Sequence, residues 1–114
     1  MTSENCLFCK IVAGEIPATV VAETPDTVAF RDINPQAPTH VLVIPREHYT
    51  NIGELADADP ALAGRLARDA AAVAKQEGLT GFRLVFNTGA EVGQSVFHVH
   101  GHVLGGRPFG WPPG

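Results

Sequence analysis

The chain has 114 residues, of which 45% are hydrophobic and 18% charged, a balance typical of one compact globular domain. Eight basic and twelve acidic side chains give a formal net charge of −4, so the overall field offers no reason to expect nucleic acid or an anionic membrane as a partner. No apolar run approaches the roughly 20 residues that span a bilayer. The N-terminal sequence MTSENCLFCK does not resemble a secretory signal, so we expect a cytosolic protein.

The first half of the chain predicts one short helix and three strands. Residues 5–13 carry apolar side chains at helical spacing, and Gly14 is a suitable end for that helix. Residues 20–23 and 27–32 are rich in strand-forming residues and flank a turn, which predicts a hairpin. Residues 40–44, HVLVI, form a continuous apolar strand.

The second half predicts one long helix and two further strands. Asp59 is a suitable N-cap and Pro60 a suitable first helical residue, with Gly78 expected at the C-terminal end. One stripe of this helix is apolar: Leu62, Leu66, Ala70 and Val73. Strands are predicted over residues 82–87 and 96–104. The sequence therefore predicts a single α+β domain over residues 1–114, with about five antiparallel strands and one long and one short helix packed on one side.

Three histidines alternate along the last predicted strand: His98, His100 and His102. Alternate strand residues share a face, so neighbouring members would lie about 6.6 Å apart on one side of the sheet. Imidazoles are poor core material, because each carries two polar nitrogens that need partners when buried. The pattern indicates either a metal site or a nucleophile and acid–base array. The preceding Gly93-Gln94-Ser95 can approach a ligand closely and donate hydrogen bonds, which favours a phosphate site.

Three segments carry a resemblance to a known family. GQSVFHVHGHVLGGR at 93–107 resembles the signature of the histidine-triad superfamily, in which three histidines alternate with apolar residues. DINPQAPTHVLVIP at 32–45 resembles the second sequence block of the family, and WPPG at 111–114 resembles the C-terminus of its histidine triad nucleotide-binding branch. Gly101 departs from the pattern, since an apolar residue is usual there, and we expect this to affect strand stability more than chemistry. The resemblance implies an antiparallel sheet with a long helix, paired into a homodimer.

The resemblance also implies a substrate class and residue roles. The substrates would be purine nucleoside monophosphates and their phosphoramidates. The implied catalytic residues are His100 as the nucleophile, Ser95 near the leaving amine and His102 at the phosphate. The implied substrate contacts are His40, Asn87, Gly93 and Gln94 at the phosphate or ribose edge, Asp32 at the ribose hydroxyls, and Phe8, Phe30 and Ile33 around the base. Without the resemblance, Asp32 could equally be a turn or cap residue, and the apolar residues could be ordinary core.

Two alternatives to a phosphoramidate hydrolase stay open. One is another enzyme of the same superfamily, a dinucleoside polyphosphate hydrolase or a nucleotidyltransferase. His102 argues against the transferase, which usually has glutamine there, and the WPPG ending disfavours the polyphosphate hydrolase. The other is a nucleotide-binding or partner-binding regulator without a catalytic role.

Cys6 and Cys9 form a C-x-x-C pair, the spacing of half a metal site. His48 and His98 are the candidates for the other half, which would give a closed structural zinc site with two cysteine and two histidine ligands. Some bacterial-type members of the superfamily carry this arrangement, and the C-L-F-C and P-R-E-H segments look like theirs. The alternatives are two thiols without a metal and, less favoured, a redox pair. No organic cofactor is expected.

Overall fold

A computed structural model describes residues 5–114, so the first four residues of the predicted 1–114 domain lie outside the described part. The strands are β1 (Val20–Glu23), β2 (Thr27–Arg31), β3 (Thr39–Pro45), β4 (Phe82–Val85) and β5 (Gly101–Gly105). The helices are α1 (Leu7–Val12), α2 (Ile52–Ala58) and α3 (Pro60–Gln76), with a single 3₁₀ turn at Ala90–Val92. The strands form one sheet in the order β1-β2-β3-β5-β4, and every neighbouring pair is antiparallel. The predicted α+β class and five-stranded antiparallel sheet are confirmed.

Helix α3 begins and ends where the sequence predicts. The Asp59 carboxylate accepts a hydrogen bond from the backbone N–H of Leu62 at 3.0 Å, and Pro60 is the first helical residue. Gly78 follows the helix with a φ of +74°, a left-handed conformation that favours glycine. The apolar stripe of α3 is buried against the sheet.

The sequence predicts one long and one short helix on one side of the sheet, and both the number and the placement are wrong. The described residues form three α-helices, and these cover both faces of the sheet. Asn51 caps an additional helix, α2, by accepting a hydrogen bond from the Glu54 N–H at 2.9 Å. Helices α2 and α3 cover one face of the sheet, where Val41 and Val43 are buried. Helix α1 covers the other face with Phe8, which packs on Leu42 and its neighbours. Strand β3 is apolar at successive positions, so apolar side chains project from both of its faces and both faces must be buried by helices.

The last strand is shorter than the predicted 96–104, because β5 begins only at Gly101. Ahead of it, the Val99 N–H donates to the carbonyl oxygen of Tyr49 at 2.7 Å, outside the strand ladder. Val99 packs in the core on the α3 side, whereas Phe8 packs against the rings of both His98 and His100. His98 therefore stays on the side of the sheet that the other two histidines share, as predicted. Its ring lies beside Cys6 and Cys9, whereas the rings of His100 and His102 pack together with centroids 4.9 Å apart.

Gly101, the departure from the superfamily pattern, lies where neighbouring side chains approach the backbone closely. A Cβ atom at this position would lie 2.8 Å from Cδ1 of Leu84 and 3.0 Å from Cζ of Phe86. These two side chains therefore fill the space that an apolar side chain would otherwise take.

Within residues 5–114, no helix combines the length and the apolar character needed to cross a bilayer.

Candidate active site and metal centre

A cavity of about 330 Å³ opens between α1 and the face of the sheet that α1 covers. Phe8, Phe30 and Leu42 form part of its apolar wall, and Asp32, His100 and His102 supply polar groups. Small-molecule sites commonly combine a mostly apolar wall with a few polar groups, in volumes from about 300 Å³ upward. The cavity is suited to a nucleotide-sized ligand with an apolar ring and a charged end.

The structure brings most of the predicted site residues together. Eight of them line this cavity: Phe8, Phe30, Asp32, Ile33, Gly93, Ser95, His100 and His102. Eight further residues complete the lining and were not predicted: Leu7, Ile11, Ile16, Pro17, Ala18, Arg31, Leu42 and Val96. The apolar ones among them look like ordinary core or loop residues in the sequence, so no local signal distinguishes them.

Three predicted contact residues are not part of the cavity lining: His40, Asn87 and Gln94. The Gln94 side chain is buried and bonded within the protein, because its Oε1 accepts from the Gly89 N–H at 2.9 Å and its Nε2 donates to the Thr50 carbonyl at 2.7 Å. This amide shapes the loop that carries Gly93 and Ser95. Gly93 itself has a φ of +104°, which explains the need for glycine there.

The His100 ring is buried, and its orientation is defined by one hydrogen bond. Its Nδ1–H donates to the backbone carbonyl oxygen of His98 at 2.8 Å. Burial lowers the pKa of His100 below 6.5, although this hydrogen bond and the charge of Asp32 oppose the shift. The neutral ring therefore carries its proton on Nδ1 and has an unprotonated Nε2. Such a nitrogen can act as a nucleophile near neutral pH.

His40 and His102 form a hydrogen-bonded pair whose tautomers follow from the backbone. The Gln36 N–H donates to His40 Nδ1 at 3.0 Å, so a neutral His40 carries its proton on Nε2. That nitrogen lies 2.9 Å from His102 Nδ1 and 3.4 Å from Oδ2 of Asp32. His102 Nδ1 thus accepts a hydrogen bond, and the proton of the neutral His102 ring is on Nε2.

His102 Nε2 is buried and has no hydrogen-bond partner within the described chain. Burial, together with the neighbouring His100 and His40, lowers the pKa of His102 to about 4, so the ring is neutral at physiological pH. Burial also lowers the pKa of His40, against the opposing charge of Asp32. A buried donor without a partner costs about 1–3 kcal/mol. A ligand oxygen that accepts this N–H would remove that cost.

Asp32 lies both in a turn and in the cavity lining. Its Oδ1 accepts a hydrogen bond from the Asn34 N–H at 2.8 Å, which forms a tight turn after β2. Its carboxylate also lines the cavity beside His40. Ile33, the next residue, is fully exposed at the rim of the cavity.

The four predicted metal ligands lie together beside the cavity. Nδ1 of His98 is 3.4 Å from Cys6 Sγ, 3.5 Å from Cys9 Sγ and 3.2 Å from His48 Nδ1. A fourth distance, from His48 Nδ1 to Cys9 Sγ, is 3.4 Å. Zinc bonds of about 2.0–2.3 Å to nitrogen and sulfur require ligand atoms roughly 3.3–3.8 Å apart in a tetrahedron. The arrangement of these atoms therefore fits a zinc ion.

The protonation of His98 also fits a metal ligand. Its Nε2–H donates to the carbonyl oxygen of Pro45 at 2.9 Å, so Nδ1 is the unprotonated nitrogen and faces the two sulfurs. Metal-bound histidines commonly have such a second hydrogen bond, which fixes the ring. Burial lowers the pKa of His98 to about 4, so the ring stays neutral.

Paired histidines beside a nucleotide-sized cavity, on a five-stranded antiparallel sheet, are the arrangement of a histidine-triad protein. A profile of the family described as HIT domain matches residues 13–109. The chain belongs to this HIT domain family.

Relatives and solved structures agree with this assignment. The chain is 49% identical to the Adenylylsulfatase HINT1 of Arabidopsis thaliana, across 95% of this chain and 76% of that protein. It is 50% identical to the 14 kDa zinc-binding protein of Zea mays, across 95% of this chain and 87% of that protein. The crystal structure of a HIT family hydrolase from Legionella pneumophila matches with a TM-score of 0.92 and 54% identity, covering 96% of this chain and all of that one.

Proposed function

We propose that this protein is a hydrolase that cleaves purine nucleoside phosphoramidates at the phosphorus–nitrogen bond, with His100 as the nucleophile. The observation that carries the proposal is the hydrogen bond from His100 Nδ1–H to the His98 carbonyl, which leaves Nε2 unprotonated in a ring that lines the cavity. The names of the Arabidopsis relative and the Legionella structure, an adenylylsulfatase and a hydrolase, support hydrolytic chemistry.

In the first step, Nε2 of His100 attacks the α-phosphorus and the phosphorus–nitrogen bond breaks. The leaving nitrogen takes the bonding electron pair and a proton from the Ser95 hydroxyl, which recovers a proton from solvent. The His100 ring becomes a nucleotidyl-imidazolium whose Nδ1–H still donates to the His98 carbonyl, which stabilises the positive charge. In the second step, water attacks phosphorus and gives up a proton to solvent, the bond from phosphorus to Nε2 breaks, and the nucleoside monophosphate leaves a neutral His100.

The remaining cavity residues bind the nucleotide. Phe8, Phe30 and Ile33 enclose the purine ring, and Asp32 accepts hydrogen bonds from the ribose hydroxyls. His102 donates its Nε2–H to a phosphate oxygen, and His40 maintains the tautomer that makes this possible. We keep Asn87 and Gly93 as candidate phosphate contacts, whereas Gln94 acts through the loop that it holds.

The metal centre has a structural role in this proposal. Cys6, Cys9, His48 and His98 would hold zinc in a closed site with no position for a substrate. When bound, zinc supplies folding free energy. The name of the maize relative, a zinc-binding protein, supports this assignment.

We further propose that residues 1–114 are a single domain that works as a homodimer in the cytosol, without nucleic acid or membrane as partners. A dimer would have a mass of about 24 kDa, twice the 12.1 kDa of one chain. Light scattering at micromolar concentration tests this, and a 12.1 kDa particle would contradict it.

A second candidate activity is the cleavage of adenylyl sulfate, favoured by the name of the Arabidopsis relative. The same attack at the α-phosphorus would expel sulfate, which leaves without needing a proton. The two activities therefore differ in their need for Ser95. Ser95→Ala should slow hydrolysis of a phosphoramidate more than hydrolysis of adenylyl sulfate.

The decisive experiment compares adenosine phosphoramidates, adenylyl sulfate and dinucleoside polyphosphates as substrates, measured by release of the nucleotide product. We expect the highest kcat/KM for a phosphoramidate and no turnover of any substrate by His100→Asn. A higher kcat/KM for dinucleoside polyphosphates would favour another enzyme of the superfamily. Nucleotide binding without turnover of any substrate would favour a regulator.

A further inference from the structure

His98 belongs to both the metal cluster and the catalytic arrangement. Its side chain contributes Nδ1 to the cluster, 3.4 Å from Cys6 Sγ and 3.2 Å from His48 Nδ1. Its backbone carbonyl accepts the Nδ1–H of His100 at 2.8 Å. One residue therefore links the metal ligands to the tautomer of the proposed nucleophile.

The position of the His98 carbonyl is not set by the sheet, because β5 begins three residues later at Gly101. Two hydrogen bonds tie this segment to the last residue of β3 and to the β3–α2 connection that follows it. His98 Nε2–H donates to the Pro45 carbonyl at 2.9 Å, and the Val99 N–H donates to the Tyr49 carbonyl at 2.7 Å. The same connection carries His48. A metal bound by both His48 and His98 would therefore add a third link between this connection and the segment that contains the His98 carbonyl.

Helix α1 provides a second structural connection between the metal ligands and His100. Cys6 caps this short helix and Cys9 lies within it, so both thiols hold α1 against the metal site. Phe8 lies between them and packs edge-on against two histidine rings, with centroids 5.0 Å from His100 and 6.0 Å from His98. Loss of the metal would loosen both the acceptor of the His100 proton and the aromatic ring packed on its face.

We propose that the metal centre positions the nucleophile: the bound metal fixes the His98 carbonyl, and this carbonyl holds His100 in the Nδ1–H tautomer. His98 is thus a positioning residue as well as a metal ligand. The inference rests on the proposed role of His100, but its central claim concerns the ring's tautomer and can be measured without substrate.

The first test is histidine-directed ¹⁵N NMR of the full-length protein, stripped with a chelator and then titrated with Zn²⁺ at a temperature where the stripped protein is folded. We expect the zinc-bound form to show one His100 tautomer with the proton on Nδ1, and the stripped form to show averaged tautomers. The single tautomer should grow in proportion to bound zinc. An identical His100 spectrum in the stripped, folded protein would overturn the proposal.

The second test uses variants, which also covers a stripped protein that does not stay folded. His48→Ala removes one ligand that is not part of the cavity lining. We expect its kcat to fall about 10–100-fold, the usual cost of losing support around a metal ligand, with a smaller change in AMP affinity. His48→Cys retains a four-ligand zinc set and should keep both the tautomer and kcat.

Val73→Ala is the matched control, because it weakens the core on the opposite face of the sheet. This variant should lose stability yet retain the His100 tautomer and kcat. If Val73→Ala lowers kcat as much as His48→Ala, the effect is general destabilisation and the proposal is wrong. If the wild type hydrolyses no phosphoramidate while the tautomer follows zinc, the proposed function fails and the coupling stands.

Discussion

The packing at Gly101 predicts that adding one methyl group there is destabilising. In Gly101→Ala, the new Cβ would lie 2.8 Å from Leu84 Cδ1, and 3.0 and 3.1 Å from two ring carbons of Phe86. Carbon atoms pack best about 3.5–4.0 Å apart, so both neighbours must move by roughly 0.5–1 Å. Leu84 can respond by turning a methyl group, whereas the Phe86 ring must move as a body.

The expected size of the effect follows from two opposing contributions. Overpacking a core typically costs about 1–3 kcal/mol. Replacing glycine in a strand by alanine returns about 0.5–1 kcal/mol, because the unfolded chain loses freedom. We therefore expect a net loss of roughly 0.5–2 kcal/mol, which for a chain of this length lowers Tm by about 3–6 °C per kcal/mol.

Urea unfolding and thermal melting of the wild type and two variants measure this. The control is Gly64→Ala within α3, where a Cβ would meet no atom within 4 Å. That variant should gain up to about 1 kcal/mol from helix propensity. The double variant Gly101→Ala with Phe86→Ala should lose less than the sum of the two single changes. Gly101→Ala at or above wild-type stability, or strict additivity with Phe86→Ala, would refute the packing argument.

Three further predictions concern the proposed chemistry. His100→Asn should lower kcat by at least about 10⁴-fold, because removing one member of a catalytic unit typically costs this much, while AMP binding survives. Calorimetry checks the AMP binding of the variant, and mapping the nucleotide adduct on rapidly quenched wild type checks that His100 is the nucleophile. Because burial lowers the pKa of His100 below 6.5, the ring stays neutral as the pH falls through 6.5, so kcat/KM should begin to fall only at more acidic pH; a pH–rate profile already halved at 6.5 would contradict this. Metal analysis should find about one zinc per chain, and a chelator should lower Tm, whereas zinc-free protein prepared without chelator would refute the assignment.

The sequence predicted those parts of the fold that depend on local signals. The start of α3 follows from Asp59 and Pro60, whose effects act within one helical turn. The second face of the sheet was missed, although the uninterrupted apolar run of β3 indicates burial on both sides. Helix α2 was missed as well, because only Leu55 is buried in it and no apolar stripe is visible.

In the candidate site, too, features with a local sequence signal were predicted, whereas features that depend on contacts between distant residues were not. The histidine alternation correctly indicated a cluster on one side of the sheet, although His98 lies ahead of the strand ladder and its ring is held by the Pro45 carbonyl. The His40–His102 pair joins residues 62 positions apart, and the tautomers depend on a backbone N–H. These tautomers could not be predicted from the sequence, because no sequence pattern indicates which ring nitrogen of a histidine lies beside a hydrogen-bond donor.

The order of strands in the sheet has a consequence for how this chain matures during synthesis. Strand β5 comes last of the five described strands in sequence order, yet it lies between β3 and β4 rather than at an edge. Until residues 101–105 leave the ribosome, β3 and β4 cannot be bridged, and the chain cannot complete one continuous sheet. Three of the four metal ligands emerge long before the fourth, His98, which comes just ahead of that strand. Closure of the sheet, completion of the metal site and assembly of the histidine pair therefore all wait until residues 98–105 have been synthesised.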